Sequence, residues 1–247
     1  MKTFFTILAA MTLTISASAQ ERSVENRPYT DLRPFHLGVV LGTHLQDMEL
    51  NNVGPVVIET EDGGQYTSTV SVDQDRWDPG FHVGVLGEAR LGTHFAFRFA
   101  PMLYFGTKHL TFRNWTSLDE QGQPREEVQN MKSVYIATTM DMIFSAKRFN
   151  NHRPYVVAGL TPMFNLTTKA NDFLRLKKYD VFLSAGIGCD FYLPFFKLRP
   201  ELKFMYSLTN SLDTKHAGTL RDQSMLPYAY SVDKTRTKMI CLSLYFE

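Results

Sequence analysis

From residue 35 onward the chain alternates apolar and polar side chains with period two, in eight stretches. In the first, about Phe35–Leu45, residues Phe35, Leu37, Val39, Leu41 and Leu45 fall on one face. His36, Gly38, Gly42 and His44 fall on the other. The pattern returns over about Phe81–Leu91, Phe95–Phe112, Ser133–Ser145, Pro154–Leu166, Tyr179–Leu193, Phe196–Leu208 and Lys238–Phe246. Alternation of this kind is the mark of a β-strand with two unlike faces. Each stretch reaches the roughly 9–11 residues that a tilted strand needs to cross a bilayer. The gaps between them alternate long and short: residues 46–80, 92–94, 113–132, 146–153, 167–178, 194–195 and 209–237. Loops on one side and tight turns on the other predict an all-β fold, an eight-stranded antiparallel transmembrane β-barrel of the outer-membrane type. Both ends of the barrel then lie on the short-turn, periplasmic side.

The polar face decides between this barrel and a soluble β-sandwich or lipocalin-like barrel. It carries Glu88, Arg90, Arg98, Asp141, Asp190, Arg199, Glu201 and Lys203. Buried charges must be paired, and four acids against four bases can pair across a narrow, side-chain-filled lumen. An eight-stranded lumen is too narrow for a general diffusion pore. Pro101, Pro162 and Pro200 fall inside assigned strands, which predicts bulges or strand ends there. Within the first long loop, Val56–Thr60 and Tyr66–Val72 flank Glu61-Asp62-Gly63-Gly64 and predict an extra hairpin.

Composition adds an address. Lys2, the apolar run Phe4–Ile15 and Ala17-Ser18-Ala19 form a secretory signal over residues 1–19, with cleavage expected before Gln20. Residues 20–34 form a periplasmic segment and residues 35–247 the barrel. No apolar run of about eighteen residues follows the signal, so no helix spans the membrane. The 19 Phe and 11 Tyr suit a lipid-facing surface. Losing Lys2 leaves acids and bases equal in number, and a chain with no basic field has no electrostatic footprint for nucleic acid. Cys189 falls on the lipid face and Cys241 on the lumen face, which predicts two free thiols. No zinc-like spacing occurs, and no cofactor is implied.

Candidate chemistry is sparse. His44 and His82 become neighbours if the first two strands pair, which reads as polar lumen lining. His36 falls at the opposite end, near Arg90. Ser207, Ser133 and His109 could be assembled into a nucleophile–base set, yet no local motif singles them out. The chain reads as non-enzymatic. Its partners are outer-membrane lipid and, during biogenesis, the outer-membrane assembly machinery, for which the terminal Tyr245-Phe246 resembles a recognition signal.

The segment before the first strand is distinct. Glu25 to Phe35 holds two prolines and no amphipathic period, which predicts a stiff extended strip. It offers a docking strip for a partner, with Arg27, Tyr29, Asp31, Arg33 and Phe35 as candidate contacts. The run Asn26-Arg27-Pro28-Tyr29-Thr30-Asp31-Leu32-Arg33-Pro34-Phe35-His36-Leu37-Gly38, followed by Gln46-Asp47-Met48, resembles the start of the PorT family of Bacteroidetes outer-membrane barrels. The resemblance implies a component of the type IX secretion system. That system exports cargo bearing C-terminal sorting domains and is linked in some bacteria to gliding motility. It implies no catalytic residues, and it adds weight to Asn26–Gly38 as a family-specific surface. The alternative reading is a stand-alone surface barrel for adhesion, ligand binding or envelope protection.

Overall fold

The computed structural model describes residues 24–59, 63–167, 172–220 and 222–247. The signal segment and residues 60–62 of the first-loop turn lie outside the described residues. Ten strands follow in order: β1 (Phe35–Asn52), β2 (Pro55–Glu59), β3 (Gln65–Asp73), β4 (Asp78–Arg90), β5 (Phe95–Leu118), β6 (Pro124–Ser145), β7 (His152–Asn165), β8 (Tyr179–Tyr192), β9 (Lys197–Ser207) and β10 (Val232–Phe246). Among the described residues one short α-helix, α1 (Leu226–Ala229), precedes β10.

Eight strands form a closed antiparallel ring in the order β1-β4-β5-β6-β7-β8-β9-β10. The ends meet where β1 pairs β10, from Val39 opposite Phe246 to Leu50 opposite Thr235 and beyond. Closure pairs every strand edge, which is the condition for β-structure in hydrocarbon. Burial inverts the pattern of a soluble protein. Leu37, Val85, Phe99, Ile187 and Leu202 are exposed on the outside, while His82, Arg98, Asp141 and Glu201 are buried inside. The ring is a β-barrel with an apolar outer wall and a polar interior, as a membrane-spanning barrel requires.

Two expectations about the strands need correction. Residues 113–132 do not form a loop. β5 and β6 run 24 and 22 residues and stay paired out to Asn114 opposite Arg125. The alternation persists because Leu110 and Phe112 still point inward and are fully buried. The chain turns only at Asp119, whose carboxylate accepts from the N–H groups of Gln121 and Gln123, with Gly122 at a φ of 76°. The prolines, in turn, create no bulges. On either side of Pro101 the β4–β5 register is unchanged, Gly84 opposite Met102 and Gly87 opposite Phe99. The same holds at Pro162 between β6 and β7 and at Pro200 between β8 and β9. Each proline removes a donor without inserting a residue, and keeps its Cα partner on the other neighbour: Thr138, Val181 and Leu244.

The hairpin expected in the first loop is present. β2 pairs β3, and β3 then docks on the extension of β5, with Val72 opposite Phe112. Between the first residues of β4 and the start of this contact, the edge of β5 would be left open. The buried Asp78 carboxylate fills the gap, accepting from the His109 backbone N–H at 2.7 Å and lying 2.6 Å from His109 Nδ1.

The lumen is filled in layers. The end nearest the short turns is charged. The middle holds Val40, Leu86, Met102, Tyr104, Tyr135, Met163, Phe182, Met205 and Met239. The far mouth is closed by an apolar plug in which Leu174, Leu176, Leu212 and Tyr228 from the last two long loops pack on Met48, Val70, Leu110, Phe112 and Met131. Leu176 and Leu212 bridge the two loops. The Arg175 side chain bonds Asp213 at 2.7 Å and holds that carboxyl below its usual range.

Candidate functional site

The charged layer is built by strand register. β9 supplies Lys197, Arg199, Glu201 and Lys203, every second residue, all buried. On the opposite wall, Glu88, Arg98 and Asp141 stand in one row across β4, β5 and β6. The two walls meet across the lumen. Arg98 donates to Glu201 at 2.7 Å and lies 3.4 Å from Glu88. Lys203 reaches Asp141 at 2.6 Å and Glu201 at 3.2 Å. Arg199 donates to Asp190 at 2.6 Å and to Glu88 and Glu247 at 2.5 Å.

Two tyrosines complete the shell around Glu201. The hydroxyls of Tyr155 and Tyr245 donate to it at 2.9 and 3.2 Å. The Arg98 guanidinium sits 4.2 Å from the Tyr245 ring centre, and that of Arg199 sits 4.9 Å from the Tyr155 ring. Charge-assisted bonds and cation–π contact of this kind gain strength away from water. The layer therefore acts as a rigid internal brace that blocks the barrel axis.

Seven of the eight charges expected in the lumen meet here. Arg90 does not. It lies at the rim, where its guanidinium donates to the backbone oxygens of Gly92 and Leu32. β4 ends at Arg90, so its side chain is free to turn out to the edge. Two residues outside the expected set join instead: Glu247, bonded to Arg199 and Lys197, and Lys197 itself. Lys197 continues the every-second-residue row of β9 and could have been read from it. Glu247 could not, because its position depends on the closure of β10 against β1. His36 lies 3.6 Å from Glu247.

The segment before β1 folds against this end of the barrel. It is not the extended strip expected from its prolines. Arg27 adopts a φ of 51°, and Thr30–Leu32 form a 3-10 turn with Thr30 buried. Asn26 bonds the Asn151 side chain and the Tyr192 backbone oxygen, each at 2.9 Å. Arg27 donates to the Glu247 backbone oxygen at 2.9 Å. Asp31 accepts from the Tyr192 hydroxyl at 2.6 Å and lies 3.5 Å from Arg153. Arg148 covers the Tyr192 ring at 3.7 Å and donates to the Asn26 backbone oxygen. Arg27 and Asp31 are thus occupied within the chain, contrary to their expected role as free contacts. Phe35 opens β1 on the lipid-facing wall. Tyr29, 78% exposed, and the exposed Arg33 remain available on the surface.

The other candidates are dispersed. His44 and His82 are buried neighbours with ring centres 5.9 Å apart, and His82 Nε2 lies 2.8 Å from Ser243 Oγ. Ser207 Oγ donates to Asp180, whereas His109 is held by Asp78, so the structure gives them separate partners. Ser133 Oγ donates to the Gly106 backbone oxygen at 3.3 Å. Cys189 and Cys241 are both free thiols, partly and fully buried. Tyr245 points into the lumen, and Phe246 sits 5.9 Å from Phe196, ring centre to ring centre.

Comparison with curated proteins found no match. Among solved structures, the chain is similar to Neisserial surface protein A (NspA), at 10% identity and a TM-score of 0.41, covering 86% of this chain and 98% of that one. It is also similar to the outer membrane protein OprG from Pseudomonas aeruginosa, at 10% identity and a TM-score of 0.45, covering 85% and 93%. The family model described as outer membrane protein beta-barrel domain matches residues 18–213. With that match over most of its length, the chain belongs to the outer membrane protein beta-barrel domain family.

Proposed function

We propose that this barrel is a non-enzymatic outer-membrane component of the type IX secretion system, needed for assembly of the apparatus or export of its cargo. The observation that carries a role in assembly is the blocked axis. A charged brace at one end and an apolar plug at the other leave the surfaces, not the lumen, to do the work. The resemblance of Asn26–Gly38 to the PorT family names the system. In this reading residues 1–19 are a signal removed before Gln20, and the turn end of the barrel faces the periplasm. The folded segment under the barrel then presents Tyr29 and Arg33 to other secretion components. Tyr245 and Phe246 serve earlier, as the signal read by the assembly machinery.

A deletion strain is expected to lose secretion of cargo with C-terminal sorting domains. Normal secretion would sink the proposal. Tyr29→Ala and Arg33→Ala should each lower secretion several-fold, the size of a lost hot-spot contact of about 1–2 kcal/mol, while the barrel keeps its heat-modifiable gel mobility. Unchanged secretion in both refutes the docking surface. Orientation has its own check: protease added to intact cells should cut within residues 46–80 or 209–237 and spare residues 146–153.

One observation favours the stand-alone surface barrel. A cleft of about 620 Å³ opens among the loops, lined by Tyr66, Arg125, Glu127, Phe173, Asp222 and Tyr228, a mixture of rings and charges suited to a ligand. A normally secreting deletion strain that has lost binding of a surface ligand would move the assignment there.

A further inference from the structure

A second groove lies on the outer wall, not among the loops. It has a volume of about 620 Å³ and is formed where β4 begins, alongside β5 and β6. Its floor is apolar: Phe81 and Phe105 stack with ring centres 4.8 Å apart, beside Val134. These side chains belong to the lipid-facing rows of β4, β5 and β6, because Phe81, Phe105 and Val134 are successive cross-strand partners. On the loop side of this floor the groove is lined by Lys132, one outward position beyond Val134, by His109, two beyond Phe105, and by Arg76 and Trp77 just before β4.

One buried carboxylate holds two of these side chains, Arg76 and His109. Asp78 is buried and lies 3.5 Å from Arg76 Nε, and the Arg76 side chain is 69% exposed. The same carboxylate fixes His109 through Nδ1. Lys132, opposite Thr107 on the same outward row, is exposed and forms no ion pair among the described residues.

An apolar floor continuous with the lipid-facing wall, capped by cations at its loop-side rim, is the complement of one lipid molecule with an anionic headgroup. We infer that this groove binds a phosphorylated lipid of the leaflet at the loop end. Its acyl chains lie on Phe81, Phe105 and Val134, and its phosphate sits between Arg76 and Lys132. A soluble anion would need the cations but not the floor. A neutral lipid would need the floor but not the cations. Trp77 suits the boundary, since its ring is amphipathic and favoured at the membrane–water interface. The placement in the outer leaflet rests on the orientation proposed above; the binding itself does not.

The test uses the full mature chain in nanodiscs of phosphatidylcholine doped with lipid A, with dephosphorylated lipid A, or with neither. Retained lipid is counted by native mass spectrometry. The phosphorylated form is expected to remain bound preferentially. Each surface cation contributes modestly, so the Arg76→Ala, Lys132→Ala double variant should bind roughly thirtyfold more weakly. A Lys234→Ala, Arg236→Ala variant carries the same charge change on β10 and should bind as the unaltered chain does.

Equal retention of the dephosphorylated lipid would overturn the inference. So would an equal loss in the β10 variant, which would indicate a general field, or displacement of the lipid by inorganic phosphate at matched concentration, which would indicate a soluble-anion site. If the double variant lacks a folded band on gels, the comparison of the two lipids on the unaltered chain decides alone. Nanodiscs expose both faces, so a negative result there is distinct from a wrong orientation, which only the protease experiment on cells reads.

Discussion

Arg98→Ala should destabilise the folded barrel by about 3–5 kcal/mol, the cost of breaking a buried ion pair by removing one partner. Arg98 is fully buried and joins Glu201 across the lumen and Glu88 on its own wall. Alanine strips Glu201 of its closest charged partner, although Lys203 remains at 3.2 Å. It also uncovers the Tyr245 ring. The measurement is the urea midpoint of the barrel refolded in lipid vesicles, read by heat-modifiable mobility. Glu201→Gln should be costly too, because it removes the carboxylate that Arg98, Lys203, Tyr155 and Tyr245 share. The Arg98→Ala, Glu201→Gln double variant should lose less than the sum of the single losses. The coupling should be about 1–3 kcal/mol, as expected for residues in one network. Additive losses would show that the two side chains do not act as a pair.

A comparable loss is expected from Gly188→Val, for a steric reason. Gly188 on β8 is the cross-strand partner of Tyr155 on β7. The Tyr155 ring packs against the glycine, so an added Cβ would overlap its ring carbon and hydroxyl. Valine must expel the ring. Overpacking costs about 1–3 kcal/mol, and losing the phenol's bond to the Glu201 carboxylate adds about 1.5–3 kcal/mol. The refolding midpoint should fall accordingly, or the folded band should vanish. Tyr155→Ala makes room for the valine. In that background Gly188→Val should cost under about 1 kcal/mol, because the space is already empty. A large further loss there would place the steric clash elsewhere.

Much of this arrangement is visible as a one-dimensional pattern. The side-chain period in a strand is two, so any residue on a lumen row can be named without knowing its neighbours. That is why Glu88, Arg98, Asp141, Asp190, Arg199, Glu201 and Lys203 could be grouped from the sequence. The partners within the group could not. Strand register alone puts Arg98 beside Glu88 and Asp141. The structure binds it most closely to Glu201, on the far wall. That distance depends on the diameter and stagger of the closed ring, which no local spacing encodes.

The errors share a cause. Arg27 and Asp31 look like free contacts because their partners, Glu247, Tyr192 and Arg153, are more than a hundred residues away in the chain. The prolines around them suggest an extended strip, yet long-range bonds to Arg148 and Asn151 hold the segment in a turn. Residues 113–132 look like a loop because the outer face of β5 and β6 turns polar once it leaves the lipid. Backbone pairing does not require an apolar exterior, so the strands continue into water.

The eight alternating runs, together with the charges in register on their polar face, predicted a membrane barrel from sequence, since only a closed ring of strands can satisfy its backbone while showing an apolar face to lipid. Tertiary structure decided that the barrel is sealed. The brace needs charges from opposite walls to meet across the lumen. The plug needs Leu176 and Leu212, from separate loops, to meet over its mouth. Both are contacts between distant parts of the chain, made possible only by ring closure.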